Sequence, residues 1–489
     1  METFLGTLTT VGVAVGLGFL PWTLQADDPP APVTPGGASS SQSAVSPEIV
    51  NSNTDGAAPK APAAESSGRD SFWSGRHAED FLKFDWGKWQ MKPKFSAISV
   101  YTDNFQYRAS SLAESDNLLQ FSPGFDVQYG SSDYNHATFG YTHDQVVYVS
   151  HSNYNTSQDH LNFGLDLTYS RWNLKGTDQF DFLSSFIGVA NTKRTILINR
   201  KPWKDGYTLT FDATERLRPY IVAYHNSIEY DATSGFYNSE LYRGSLGSSY
   251  ILTSRVKLFG DLYYGQETPS KTSEFQPPVY NNIFYGGGFG ATGQFTTRLS
   301  GTVRFGYELR SVPNNPAIKD TGSPVLALDL TYHPTQYSQI LLTASQSTAV
   351  SATTPTTSVE SKVRLAAVQY ITSDLKWSLQ LDASVSLVDL TDRTVTGLLI
   401  PFPIVTPSGP GTISIFSSAL SGRNDKNYSL GFSLNYIPNR WLRASLGYTH
   451  EEYSFSYHDQ KYAYFAGSNL NGLQPYQVNS VALQVSIGF

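Results

Sequence analysis

Charged side chains in the second half of the chain alternate with apolar ones in several segments. Six of them are candidate pore-lining residues of mixed sign: Arg243, Asp261, Arg304, Glu308, Arg364 and Asp382. Fixed charges on a wet wall select passing ions electrostatically and make no bonds. Two interpretations stay open: a selectivity constriction with a field across the pore, or charges that pair with neighbours and hydrate the wall.

Candidate catalytic residues are few. Four histidines fall in one stretch, at His136, His143, His151 and His160, but His136 and His143 have opposite strand parity and would face opposite sides. No Ser/His or Asp/His pair is singled out by its spacing. The run Gly286–Gly288 lacks the Lys and the following helix of a phosphate loop, so we predict that it permits curvature or close packing. We therefore predict no enzyme, with no catalytic, cofactor-binding or metal-binding residues.

The composition is that of a β protein with one polar and one apolar face. Among 489 residues only 15% are charged, whereas 14% are aromatic, with 31 Tyr and 28 Phe. There is no Cys, which excludes disulfides and thiolate sites. The mean hydropathy of −0.28 argues against a bundle of membrane helices. A net charge of −7 gives no sign of nucleic-acid binding.

The first 92 residues differ from the remainder. Residues 4–24 are the only long apolar run, and Ala26 follows, so we predict a signal peptide over 1–26; a membrane anchor is the alternative. The early charge, Glu2, is not the usual positive one. Residues 27–70 are rich in Pro, Ala and Ser and predict a disordered linker. We predict an aromatic periplasmic segment over 71–92 and the main domain over 93–489.

From residue 93 onward, apolar residues recur at every second position in many segments. In Leu375–Leu387 the odd positions are apolar and the even ones polar; in Asn427–Tyr436 the same alternation recurs. Successive side chains of a strand point to opposite sides, so each strand separates an apolar from a polar environment.

Three features favour a transmembrane β-barrel over a soluble sandwich. The strands run for about 10–14 residues, longer than is usual in soluble sheets. Aromatic residues such as Trp377 and Tyr436 end the apolar rows. Very short connections alternate with long ones, among them 187–206, 267–278, 311–321, 389–424 and 458–474, as periplasmic turns alternate with extracellular loops.

We predict about 18 antiparallel strands, the first at 95–106 and the last at 476–489. Segments 174–186 and 207–214 are the weakest, so 16 strands remain possible. Barrels of this size leave an aqueous channel. The apolar loop segment Leu398–Val405 is expected to fold into the barrel mouth, pack over the rim or bind a partner.

The C-terminus alternates up to Phe489, with Val481, Leu483, Val485 and Ile487 apolar. An aromatic-ended last strand resembles the signal that the barrel-insertion machinery of bacterial outer membranes recognises. Phe489 is therefore predicted to be an assembly signal.

The start of the barrel resembles the β-barrel porin 2 family of outer-membrane barrels. The resemblance lies in Tyr101–Asn104, Asp116, Ser122–Gly124, Tyr141 and Tyr148. Position 102 is Thr where the family has an acid. The resemblance implies a pore-like barrel associated with exopolysaccharide production and brings no catalytic residues.

The sequence thus predicts a Gram-negative outer-membrane porin that passes small hydrophilic solutes and contacts membrane lipid and lipopolysaccharide. One alternative is a barrel component of exopolysaccharide export or assembly that handles a glycan. A second alternative is a structural or adhesive surface barrel.

Overall fold

The computed structural model describes residues 84–488 with internal gaps at 108–111, 132–134, 189–194, 232–236, 273–279, 314–319, 351–356, 373–374, 391–398, 407–408, 417–422, 440 and 458–474. The predicted signal peptide, the linker, most of the aromatic segment and Phe489 lie outside the described residues. Within the described ranges, no helix is long and apolar enough to cross a membrane.

The described chain is almost entirely β-structure, apart from a short 3-10 turn at Ser152–Tyr154. Its strands are β1 Phe84–Trp86, β2 Trp89–Thr102, β3 Asp116–Gly130, β4 His136–Tyr148, β5 Thr156–Tyr169, β6 Trp172–Gly188, β7 Thr195–Phe211, β8 Leu217–Tyr230, β9 Asn238–Ile251, β10 Val256–Ser270, β11 Asn282–Gln294, β12 Leu299–Ser311, β13 Thr321–Thr335, β14 Ser338–Val350, β15 Thr357–Tyr370, β16 Trp377–Leu390, β17 Leu399–Thr406, β18 Gly409–Phe416, β19 Arg423–Asn439, β20 Leu442–Tyr457 and β21 Tyr476–Ile487.

Eighteen of these strands, β2–β16 and β19–β21, form one closed antiparallel barrel. Each strand pairs with its neighbour in the chain, and β21 pairs with β2 to close the circle, Phe95 opposite Ile487 and Thr102 opposite Ser480. Every predicted strand has its counterpart, which confirms the count of 18 over 16.

The short strand β1 covers an edge that the barrel leaves open. The ladder between β2 and β21 begins at Phe95, so β21 does not pair with the first residues of β2. Phe84–Trp86 pair there with Trp89–Met91. The barrel sheet thus begins at Trp89, four residues before the predicted boundary at 93.

The two faces of the barrel wall differ sharply. Leu262 and Phe289 point outward and are 73% and 68% exposed, whereas Arg304 points inward and is 2% exposed. Alternation along each strand produces this division. An outward apolar surface is the lipid-facing wall of a membrane barrel, in which sheet closure satisfies every backbone group that lipid cannot.

Connections alternate between the two ends, as predicted. At one end they are short, such as the two residues between β5 and β6; at the other lie long ones, such as that between β20 and β21. One predicted long connection, 187–206, is wrong, because β6 continues to Gly188 and β7 already begins at Thr195. Both faces of this extension carry polar residues, so the alternation that marks a membrane strand is missing there.

The predicted loop 389–424 contains a hairpin of its own. Strands β17 and β18 pair only with each other, Leu399 opposite Phe416 and Thr406 opposite Gly409. Leu399–Val405 of the predicted apolar segment therefore lie in the first strand of a hairpin, and Leu398 lies outside the described residues. Whether it enters the barrel mouth stays a prediction.

Candidate functional site

Four of the six predicted pore-lining residues form one cluster on the inner face. Arg243 lies on β9, Asp261 on β10, and Arg304 and Glu308 on β12. Arg304 Nη2 donates to Asp261 Oδ1 and Oδ2 at 2.9 and 2.8 Å. Arg243 Nη2 lies 3.9 Å from Asp261 Oδ2, so two guanidinium groups share one buried carboxylate.

Glycines on β11 make this cluster possible. Gly286, Gly288 and Gly290 face inward between β10 and β12, where a Cβ on each would lie within 2.6–2.8 Å of a neighbouring side chain, that of Tyr263, Arg304 or Phe259. Arg304 therefore crosses β11 over a bare backbone. This close packing is one of the two roles that the glycine run suggested.

Tyr263 on β10 lies between the two arginines of the cluster and Glu308. The guanidinium carbon of Arg243 lies 3.8 Å above its ring, and that of Arg304 lies 5.7 Å away. Its hydroxyl donates to Glu308 Oε2 at 3.2 Å. Cation–π attraction and this hydrogen bond fix the ring between positive and negative groups.

Arg310 and Glu267 complete the cluster, and sequence reasoning missed both. Arg310 Nε donates to Glu308 Oε1 at 2.7 Å, and its Nη1 donates to Glu267 Oε2 at 3.1 Å. The guanidinium also lies 4.8 Å above the Phe284 ring. Both residues stand at or beyond the predicted strand ends, although their parity matches Arg304 and Asp261. Extending the alternating pattern of each predicted strand by up to two residues would have included both.

The remaining two predicted residues form a separate pair. Arg364 on β15 donates from Nε and Nη2 to Asp382 on β16, with Nε 2.9 Å from Oδ2. Their side chains are 39% and 26% exposed, far more than those of the main cluster. The Arg364–Asp382 pair is thus open to solvent, whereas the Arg304–Asp261 pair is not.

The main cluster balances its charges internally. Arg243, Arg304 and Arg310 face Asp261, Glu267 and Glu308, so the formal sum is zero. Opposite charges lie side by side on the same stretch of wall. This geometry matches the interpretation in which wall charges pair with neighbours more closely than the one with a field across the pore.

Little space remains against these side chains. The cavity lined by Asn226, Arg243, Tyr263, Arg310, Ser347 and Thr348, among others, encloses about 30 Å³. That volume holds about two water molecules. Two buried polar atoms at this cavity, Asn226 Oδ1 and Arg304 Nε, have no hydrogen-bond partner among the described residues, and water is the simplest one for them.

The histidines are separated by the wall. His160 points inward, its Nδ1 2.8 Å from Asp181 and its Nε2 3.3 Å from Asp144. His143 points outward and lies 2.8 Å from Asp159. In the described part of the chain, no group of three or more His, Asp or Glu side chains is arranged to hold a metal ion.

Asp103 and Asn104, from the resembling motif, fasten the seam of the barrel. Both carboxylate oxygens of Asp103 accept from Asn479 on β21, from its backbone N–H at 2.8 Å and its side-chain amide at 2.6 Å. Asn104 is fully buried and donates to the carbonyl of Gln477 at 3.1 Å. The motif therefore ties the first barrel strand to the last.

The chain matches no protein-family model and no curated protein. Its structure is similar to the outer membrane protein OpdK from Pseudomonas aeruginosa, at 10% identity and a TM-score of 0.38 over 81% of this chain and 98% of that one. OccK2 from the same organism, in complex with glucuronate, is 9% identical, with a TM-score of 0.39 over 82% of this chain and 98% of that one. The siderophore receptor PirA from Acinetobacter baumannii is 7% identical, with a TM-score of 0.43 over 81% of this chain and 80% of that one.

These neighbours are outer-membrane barrels of more than one function. Identities and scores at this level assign neither a family nor a ligand. The resemblance to the β-barrel porin 2 family stays a prediction.

Proposed function

We propose that this chain is a channel of the bacterial outer membrane through which small hydrophilic solutes diffuse. One observation carries the proposal: a closed sheet of 18 strands is apolar outside and charged inside. Such a wall fits a lipid exterior and a wet interior, and 16–18 strands suffice for an aqueous passage.

The inner-face charges would act as the filter. In the main cluster each carboxylate already accepts hydrogen bonds from an arginine, so a passing solute meets paired charges. The Arg364–Asp382 pair is more open and would interact with ions more freely. We propose no catalytic role for any of these residues.

The surroundings follow from the same proposal. Lipid and lipopolysaccharide would contact the outward rows, and aromatic residues such as Tyr169, which is 82% exposed, would lie at the membrane surface. The barrel-insertion machinery would recognise Phe489 during assembly.

The glycan alternative needs aromatic faces that are free to stack on sugars. Tyr263 has Arg243 above its ring, and Tyr476 stacks on Tyr453 with 5.2 Å between ring centroids. One face of each ring is thus occupied within the wall, which leaves less aromatic surface for stacking on a sugar and favours small solutes over a polysaccharide.

Planar-bilayer recording of the purified protein tests the proposal. Heat-modifiable, folded protein should give discrete current steps, and the same preparation after boiling should give none. Folded protein that produces no current over repeated reconstitutions would overturn the channel function.

A further inference from the structure

A groove lies on the outer face of strands β9 to β12. Its volume is about 580 Å³. Its sides are five apolar or aromatic side chains that point outward, each at least half exposed: Leu246, Leu262, Phe289, Phe305 and Tyr307. The groove is therefore a depression in the lipid-facing wall and not part of the pore.

Two glycines form the floor of the groove. Gly287 on β11 stands between Leu262 on β10 and Tyr307 on β12. Gly260 on β10 stands opposite Phe289. Both glycines have outward strand parity and line the groove, so a side chain at either position would point into it. Because neither has one, the wall here is a single backbone thick.

The groove lies close to the extracellular surface of the membrane. Tyr264, Tyr285 and Tyr307 point outward and are about half exposed, and a row of such residues marks a membrane surface. Tyr285 is two residues from Gly287, whereas Gln294, at the short-connection end of β11, is seven residues away. Long connections are extracellular in barrels of this kind, so the groove falls in the outer leaflet. The lipid of that leaflet is lipopolysaccharide.

Hydrocarbon is the filling that this position favours. The groove is roughly four times as large as the ~150 Å³ apolar cavity that takes up benzene and stays free of water. Left empty, its lining would lose van der Waals contacts. Acyl chains already cover the wall on both sides of the groove, and one of them can bend into it. A protein partner would need a ridge of matching shape.

We propose that the groove binds one acyl chain of lipopolysaccharide and holds it more tightly than the rest of the wall does. A chain over Gly287 contacts the backbone beneath it and side chains on two sides, whereas elsewhere a chain touches only the ends of outward side chains. The bound chain packs against the back of β11, whose inner side Arg304 crosses. The proposal needs the lipid-facing wall but does not depend on conduction.

Native mass spectrometry of the folded barrel tests this site, with hexa-acylated lipid A as the probe. Gly287→Leu places a side chain in the groove. Its Cβ would lie 2.7 Å from Leu262 Cδ2, the far end of a side chain that can move aside. The variant should bind lipid A about tenfold more weakly than the parent, because roughly two methylene groups lose their contacts.

Gly244→Leu is the matched control. It adds the same side chain to the outer face of β9, outside the residues that line the groove, where a Cβ meets nothing within 4 Å. Lipid A binding should then stay within about twofold of the parent. Leu262→Ala removes one side of the groove at an exposed position and should also weaken binding, so it carries the test if Gly287→Leu does not fold.

Equal lipid A binding in the parent and in the folded groove variants would overturn the proposal. If the parent retains phosphatidylethanolamine as tightly as lipid A, the assignment to lipopolysaccharide is wrong. A dimeric parent that Gly287→Leu converts to a monomer would show that a second copy fills the groove instead. A barrel that binds lipid A through the groove but gives no current would retain this site and reject the channel.

Discussion

Arg304 on β12 binds Asp261 on β10 across a strand to which neither belongs. Strand β11 runs between them and offers only Gly288 at that level, with Asp261 directly opposite it. The pair therefore ties three strands together on the inner face. Its geometry depends on the absence of a side chain as much as on the two charges.

Gly288→Ala should destabilise the barrel. A Cβ there would lie 2.8 Å from Arg304 Nε and 3.0 Å from the Phe305 carbonyl, so Arg304 must leave Asp261. Breaking a buried pair costs about 3–5 kcal/mol. The urea concentration at which heat-modifiable protein is lost measures the effect.

Gly244→Ala is the control, because a Cβ at Gly244 meets nothing within 4 Å. It should leave the urea midpoint almost unchanged. If both alanine variants unfold at the same urea concentration as the parent, the crossing of β11 does not contribute to stability.

The sequence predicted the barrel well because the membrane imposes a strict period of two. Every one of the 18 strands has its predicted counterpart, including the weakest predicted segments, 174–186 and 207–214. The start of β7 was missed by 12 residues, since Thr195–Gly206 carries polar residues such as Asn199, Lys201 and Asp205 on the outer parity. Beyond the hydrocarbon layer a strand does not contact lipid, so nothing there requires an apolar side chain at every second position.

The site could be predicted only in part. Arg243, Asp261, Arg304 and Glu308 lie on the inner wall, the face to which strand parity assigns them, and their role in a pore stays a prediction. Parity could not reveal that Arg304 reaches two strands away, since that contact depends on the register of three strands. Nor could it reveal that the ladder between β13 and β14 ends at the pair Leu326 and Gln346, or that Thr348, which parity assigns to the outer face, donates to Glu308.

A double-mutant cycle on Arg304 and Asp261 should show strong coupling. Arg304→Met or Asp261→Asn alone leaves a buried group without its partner and should cost about 3–5 kcal/mol in free energy of unfolding. The double variant should cost clearly less than the sum of the two. Additive losses in urea titrations would show that the two side chains do not stabilise each other.

Ion selectivity should depend on Arg364 more than on Arg304. The Arg364–Asp382 pair is partly exposed, so Arg364→Glu places negative charge on a wet wall and should shift the reversal potential in a salt gradient toward cation preference. Asp382→Asn should shift it toward anions. Arg304→Glu should mainly reduce the yield of folded barrel, because its site is buried. Reversal potentials that do not change in the Arg364 and Asp382 variants would rule out this pair as a filter.

Asp103→Ala should weaken the seam that closes the barrel. The ladder between β2 and β21 covers only Phe95–Thr102, and Asp103 extends it with two further hydrogen bonds to Asn479. Their loss should cost about 1–3 kcal/mol, seen as a lower temperature for the mobility shift on gels. Asp126→Ala is the control: its partner is Lys94 in an exposed pair 2.9 Å long, worth at most about 1 kcal/mol. Equal shifts in the two variants would mean that Asp103 is an ordinary surface carboxylate, and the motif at Tyr101–Asn104 would then need another explanation.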